Sequence, residues 1–103
     1  MEIDYSLPFR RTYKRFIVEV QATLIINNSL RITAIAKDLC SRGVGIICKY
    51  PLKVNEQVEI IIFLALQNTV CNKAKVVWSE KVDENLWRAG LDFGLDNLTN
   101  LPF

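Results

Sequence analysis

Phe16-Ile17-Val18-Glu19-Val20-Gln21-Ala22-Thr23-Leu24-Ile25-Ile26 runs into Asn27-Asn28-Ser29 and then into Leu30-Arg31-Ile32-Thr33-Ala34-Ile35-Ala36-Lys37. In the first stretch Phe16, Val18, Val20, Ala22, Leu24 and Ile26 share one face. Ile17, Glu19, Gln21, Thr23 and Ile25 share the other. Side chains of an extended chain alternate with period two, so this pattern predicts a half-buried strand. Asn27-Asn28-Ser29 is a turn signal between two such runs. The return run sets Leu30, Ile32, Ala34 and Ala36 against Arg31, Thr33 and Lys37. The pair reads as an antiparallel hairpin.

The same period continues outward. Gly43 and Gly45 interrupt the alternation, which Val44, Ile46 and Cys48 resume. Pro51 and Asn55 bracket a loop. Residues 57–66 read as a central or well-covered strand, apolar on both faces apart from Glu59. After a turn at Gln67-Asn68, residues 69–79 alternate again. There Val70, Ala74, Val76 and Trp78 face the core, and Lys73 and Lys75 face away. Asp83-Glu84-Asn85 turns the chain into a last strand over 86–93, with Trp87 in the core. Six strands joined by short turns predict an all-β fold, a six-stranded antiparallel β-barrel or a sandwich. Residues 1–15 carry Pro8 and no sustained alternation, and are expected to form an N-terminal arm before a domain of residues 16–103. The tail from Gly94 is expected to hold a short helical turn, with Leu95 and Leu98 packing on the mouth of the barrel.

Composition narrows the chemistry. Of the 103 residues half are hydrophobic, with four Gly and three Pro, as in one folded domain. No apolar run approaches the roughly 18 residues of a membrane span. The N-terminus, with Glu2 and Asp4, has no signal-peptide stretch, so a cytoplasmic location is expected. The chain has no His, so a Ser-His or Cys-His nucleophile pair is excluded and the usual general base near neutral pH is missing. Cys40, Cys48 and Cys71 are odd in number and match no zinc spacing. Neither a metal nor a disulfide framework is expected, and no enzyme. The net charge of +2 is uneven. From Arg10 to Lys53, nine basic residues (Arg10, Arg11, Lys14, Arg15, Arg31, Lys37, Arg42, Lys49 and Lys53) face only Glu19 and Asp38, and this stretch carries a local positive field.

Two motifs flank the hairpin. Arg11-Thr12-Tyr13-Lys14-Arg15, preceded by Arg10, spaces two arginines four apart in the arm. Asp38-Leu39-Cys40-Ser41-Arg42-Gly43 follows the return strand. Guanidinium groups offer planar donors to phosphate and to the O6 and N7 edge of guanine. A carboxylate offers the complementary acceptor, and a glycine lets backbone approach a ligand. Brought together, they suit a compact, anionic, guanine-bearing molecule. Each motif also has a plainer reading. The arm can be a solvated tail. Asp38 can close a turn in which Gly43 supplies a positive φ. Cys40 can be a small packing residue. Trp78 is a core residue by parity, or a base-stacking platform at the rim.

Arg-x-x-x-Arg, a strand hairpin and Asp-x-Cys-x-x-Gly, in that order, resemble the PilZ domain family over nearly the whole chain. Gly43-Val44-Gly45-Ile46, Lys75-Val76-Val77-Trp78 and Gly90-Leu91-Asp92-Phe93 fall where that family has similar segments. The resemblance implies a six-stranded antiparallel β-barrel, often with a C-terminal helix, that binds the second messenger cyclic di-GMP without catalysis. It implies that Arg11 and Arg15, assisted by Arg10, clamp phosphates and guanine edges, that Asp38 accepts from guanine nitrogens, and that Gly43 admits the ligand to the backbone. The family usually has Ser where this chain has Cys40. A thiol is the weaker donor, and the lost hydrogen bond is typically worth about 0.5–1.5 kcal/mol.

The expected function is a stand-alone cyclic di-GMP receptor whose arm orders on the ligand and signals to an unidentified downstream protein. One alternative is a degenerate PilZ adaptor that binds little or no nucleotide. The other is a barrel that binds single-stranded nucleic acid, against which the modest net charge argues.

Overall fold

Aliphatic side chains at every second position build six strands in the computed structural model, which describes residues 16–65 and 68–94. They are β1 Phe16–Ile26, β2 Leu30–Cys40, β3 Gly43–Cys48, β4 Gln57–Ala65, β5 Asn68–Asp83 and β6 Leu86–Asp92. The expected arm, with Arg10, Arg11 and Arg15, lies outside the described residues. So does the expected C-terminal turn with Leu95 and Leu98.

Every pairing is antiparallel, and the ring order is β1-β2-β3-β6-β5-β4. β1, β2 and β3 follow one another as hairpins, as do β4, β5 and β6. β4 then pairs back onto β1, and β6 onto β3. The expected β-barrel is thus realised as six antiparallel strands in a ring-closed sheet. Closure gives each strand two neighbours over part of its length and limits the exposed strand edge.

The ring encloses one core. Leu24, Ile26, Leu39, Ile46, Ile60, Ile62 and Val76 are its largest fully buried side chains, and no polar or charged residue is buried among the described residues. Glu59 fits an otherwise apolar β4 because it points outward, beside Ile25 of β1 and Lys73 of β5. The Asn27-Asn28 turn has positive φ at both residues (56° and 62°), with the Ser29 N–H donating to the Ile26 carbonyl at 3.2 Å. That is a type I′ turn, whose twist matches the strands it joins.

Bulges adjust which residues face the core. An extra residue in one strand shifts the alternation beyond it. β2 is irregular between Ala36 and Asp38, and β5 between Val76 and Trp78. In β2 the inward positions become Ala36 and Leu39, and the strand runs on through Asp38 to Cys40. In β5 Val76 is buried, while Val77 and Trp78 both lie outside at 44% and 42% exposure. The core placement expected of Trp78 by parity is therefore corrected. Trp87, opposite Cys48 of β3 and Lys81 of β5, is also only half-buried. Gly43 and Gly45 do not interrupt the strand pattern. Both are paired residues of β3.

The three cysteines are free, and their environments differ. Cys40 and Cys48 are buried and Cys71 is exposed. Burial pushes the Cys48 thiol above its ordinary pKa, and its Sγ donates a hydrogen bond to the Tyr50 carbonyl at 3.3 Å, which favours the protonated form. A raised pKa means less thiolate, and thiolate is the reactive form. A thiol reagent at neutral pH should therefore modify one cysteine rapidly in the native protein, and all three in urea. Cys71→Ser should abolish the rapid phase.

Candidate functional site

On the outer surface the register aligns one residue from each of four strands. Asp38 of β2 lies opposite Gly45 of β3, Gly45 opposite Gly90 of β6, and Gly90 opposite Trp78 of β5. At about 4.8 Å per strand, three intervals set Asp38 and Trp78 roughly 14 Å apart around the sheet, across the strands. Their side chains come closer, because each leans over a glycine.

Asp38 leans over β3. Its Oδ1 accepts the Gly45 N–H at 3.1 Å. A Cβ at Gly45 would lie 3.0 and 3.1 Å from the two carboxylate oxygens. The hydrogen at Gly45 thus leaves room for the carboxylate to lie flat on the sheet. The bulge after Ala36 turns Asp38 to this face. Asp38 is accordingly a strand residue, not an Asx-turn residue.

Trp78 leans over β6. A Cβ at Gly90 would fall 2.7 Å from the indole Cε2 and 2.8 Å from Cδ1. The ring also carries a cation: the Arg88 guanidinium carbon lies 5.6 Å from its centroid, within the range of a cation–π contact.

Gly43 lies one row away, opposite Cys40 on β2 and Asp92 on β6. Among the described glycines only Gly94 has a positive φ, so Gly43 is not there to supply a left-handed turn. Its constraint is steric. A Cβ would run into the Leu91 carbonyl oxygen, with the carbonyl carbon at 3.3 Å. The β2–β3 turn is Ser41-Arg42, and it is tied to β6 by the Phe93 N–H donating to the Arg42 carbonyl at 2.8 Å.

Of the residues singled out from sequence, the fold brings Asp38, Gly43 and Trp78 to neighbouring outer positions. Cys40 is beside them but only 5% exposed. Arg10, Arg11 and Arg15 lie outside the described residues. The β1–β2 register, however, sets Phe16 opposite Leu39 and Ile17 opposite Asp38. The chain thus enters β1 next to the Asp38 motif. Gly45, Gly90 and Arg88 are part of the site and were not singled out. The Gly-x-Gly spacing of β3 was a signal for Gly45. Gly90 and Arg88 become legible only from the register. A second depression, of about 280 Å³, is lined by Asn27, Asn28, Gln57, Glu59 and Lys73 among others. It sits by the β1–β2 turn, at the other end of β1 from Phe16.

The molecule is a small β domain, a ring-closed antiparallel sheet with a carboxylate and an aromatic gathered on its outer wall. The chain matches the PilZ domain over residues 9–100 and belongs to the PilZ domain family, a family of non-catalytic domains. No curated protein sequence matches it. Among solved structures it resembles the inhibitor of motility MotI/DgrA of Bacillus subtilis, with a TM-score of 0.70 and 14% identity over 84% of this chain and 43% of that one. It also resembles the PilZ domain of Escherichia coli YcgR with c-di-GMP, with a TM-score of 0.68 and 14% identity over 84% and 79% of the two chains. YcgR in complex with c-di-GMP gives a TM-score of 0.67 and 15% identity over 82% and 38%. The chain therefore spans under half of the Bacillus protein and of that YcgR chain. Among the described residues no helix is long and apolar enough to cross a membrane.

The glycines should separate by what they touch. Gly43→Ala meets backbone and should cost about 1–3 kcal/mol in urea unfolding, as overpacking does. Gly45→Ala meets a movable carboxylate and should cost less than about 1 kcal/mol.

Proposed function

We propose that this chain is a cyclic di-GMP receptor whose ligand lies on the outer wall between β2 and β5. The observation that carries this reading is the Asp38–Gly45–Gly90–Trp78 row. It offers a carboxylate acceptor for guanine nitrogens and an aromatic face for a base, on a strip of sheet where two neighbouring residues carry no Cβ. Family membership supports the ligand's identity.

The arm completes the site. Arg11 and Arg15, assisted by Arg10, supply the cations that the row lacks, binding phosphates and the guanine O6 and N7 edge. Because β1 begins opposite Leu39, Arg15 is a single residue upstream of a position beside the Asp38 motif. Free, the basic arm repels itself. The ligand's two phosphates neutralise it and draw it onto the wall, which changes the surface offered to a downstream protein. Gly43 keeps β3 close against β6 and the ligand close to the backbone.

Cys40 favours a second reading. The thiol is a weaker donor than the hydroxyl usual in the family, and here it is buried. A PilZ adaptor with a weakened or lost nucleotide site follows if nothing compensates.

Calorimetry with cyclic di-GMP separates the two. The receptor reading expects saturable heat at micromolar ligand. Asp38→Ala, and Arg11→Ala with Arg15→Ala, should each weaken binding by about 1–3 kcal/mol or more, roughly five- to 150-fold. Cys40→Ser should tighten it threefold to tenfold. No heat at about a hundred micromolar, in the natural chain and in Cys40→Ser alike, would favour the adaptor.

A further inference from the structure

Trp78 is held by two β6 residues, Gly90 of the row itself and Arg88 beside it, whose effect on the ring goes beyond the contacts that the cyclic di-GMP reading uses. The first is Gly90, its cross-strand neighbour. The indole lies so close over Gly90 that a methyl there would overlap Cε2 and Cδ1 at 2.7 and 2.8 Å, with Nε1 nearer still. Gly90 itself is buried although its position faces outward, which means that the ring covers it. The second is Arg88, two residues earlier on the same face, whose guanidinium stands 5.6 Å from the ring centroid. Glycine cross-strand from an aromatic is a pairing in which the ring packs on the bare backbone.

We propose that Gly90 and Arg88 are positioning residues for the site. They hold the Trp78 indole in place in the free protein, Gly90 by leaving room for the ring and Arg88 by a cation–π contact with it. The part of the ring left exposed is then a preset platform for a planar base. An indole free to turn would have to be ordered by each ligand that stacked on it, at a cost in affinity. The nature of the base rests on the cyclic di-GMP reading. The placement of the ring does not.

The two glycine contacts differ in a way that makes the idea testable. At Gly43 a side chain meets backbone, which cannot move without breaking the β3–β6 ladder. At Gly90 it meets the end of a side chain, which can rotate away. Gly90→Ala should therefore fold and release Trp78.

The test uses the full chain with Trp87→Phe, so that Trp78 is the only tryptophan. Acrylamide quenching and near-ultraviolet circular dichroism then report on one indole. Gly90→Ala should raise quenching and flatten the indole dichroism without changing the far-ultraviolet spectrum. Arg88→Ala should do the same to a smaller degree. Cyclic di-GMP affinity should fall roughly threefold to tenfold in Gly90→Ala, the size of one side chain's ordering cost. In a Trp78→Ala background, Gly90→Ala should have no further effect on affinity.

Unchanged quenching in Gly90→Ala would overturn the proposal. So would loss of the fold, since the ring would not then be what gives way. An equal loss of affinity with and without Trp78 would overturn it as well, because Gly90 would be acting by another route. If the parent binds no cyclic di-GMP, the receptor reading fails, and the indole measurements still decide the positioning claim.

Discussion

Where β3 lies against β6, Gly45 faces Gly90 and neither carries a Cβ. Everything gathered on this wall depends on that bare pair. Outward positions of a sheet normally present a side chain every second residue, and those side chains would fill the space that Asp38 and Trp78 take. With two hydrogens there instead, a carboxylate from β2 and an indole from β5 reach toward each other across the strands between them. Gly43, in the next row, serves the same wall differently, by letting β3 approach the Leu91 carbonyl of β6. The ring closure holds all four strands in register, so the row does not depend on any loop.

The fold was legible because its signal is local. Period-two alternation in β1 and β2, the Asn27-Asn28 turn and the punctuation around β4 each follow from side-chain direction in an extended chain. The strand order was not legible, since pairings such as β1 with β4 and β3 with β6 join residues far apart in sequence. Parity failed where bulges inserted a residue. Trp78 counts as inward from Val70, Ala74 and Val76, and the irregularity after Val76 carries it outside. Asp38, for which a turn was one of two readings, is a strand residue of β2, and the irregularity after Ala36 sets it outward.

The site was partly legible. Asp38 and Gly43 stood out because their residue types and spacing suggest chemistry. Gly90 and Arg88 did not, since a glycine in a strand and an arginine on a surface are ordinary until a register sets them beside an aromatic. Cys40 stood out by its place in the Asp38 motif, and it is buried opposite Gly43. The cysteines otherwise play separate parts: Cys48 is buried and hydrogen-bonded to the Tyr50 carbonyl, and Cys71 faces solvent. Membership of the PilZ family and the row of residues on the β2–β3–β6–β5 wall together support the proposed ligand.

The most direct measurement is a titration of isotope-labelled protein with cyclic di-GMP, followed through backbone and indole N–H chemical shifts. The account predicts the largest shifts at Gly45, Gly90 and the Trp78 indole, with Asn27 and Asn28 at the far end of β1 left unmoved. Saturating ligand that leaves the Asp38–Trp78 row unshifted, or that moves mainly the groove beside Asn27, Glu59 and Lys73, would contradict it.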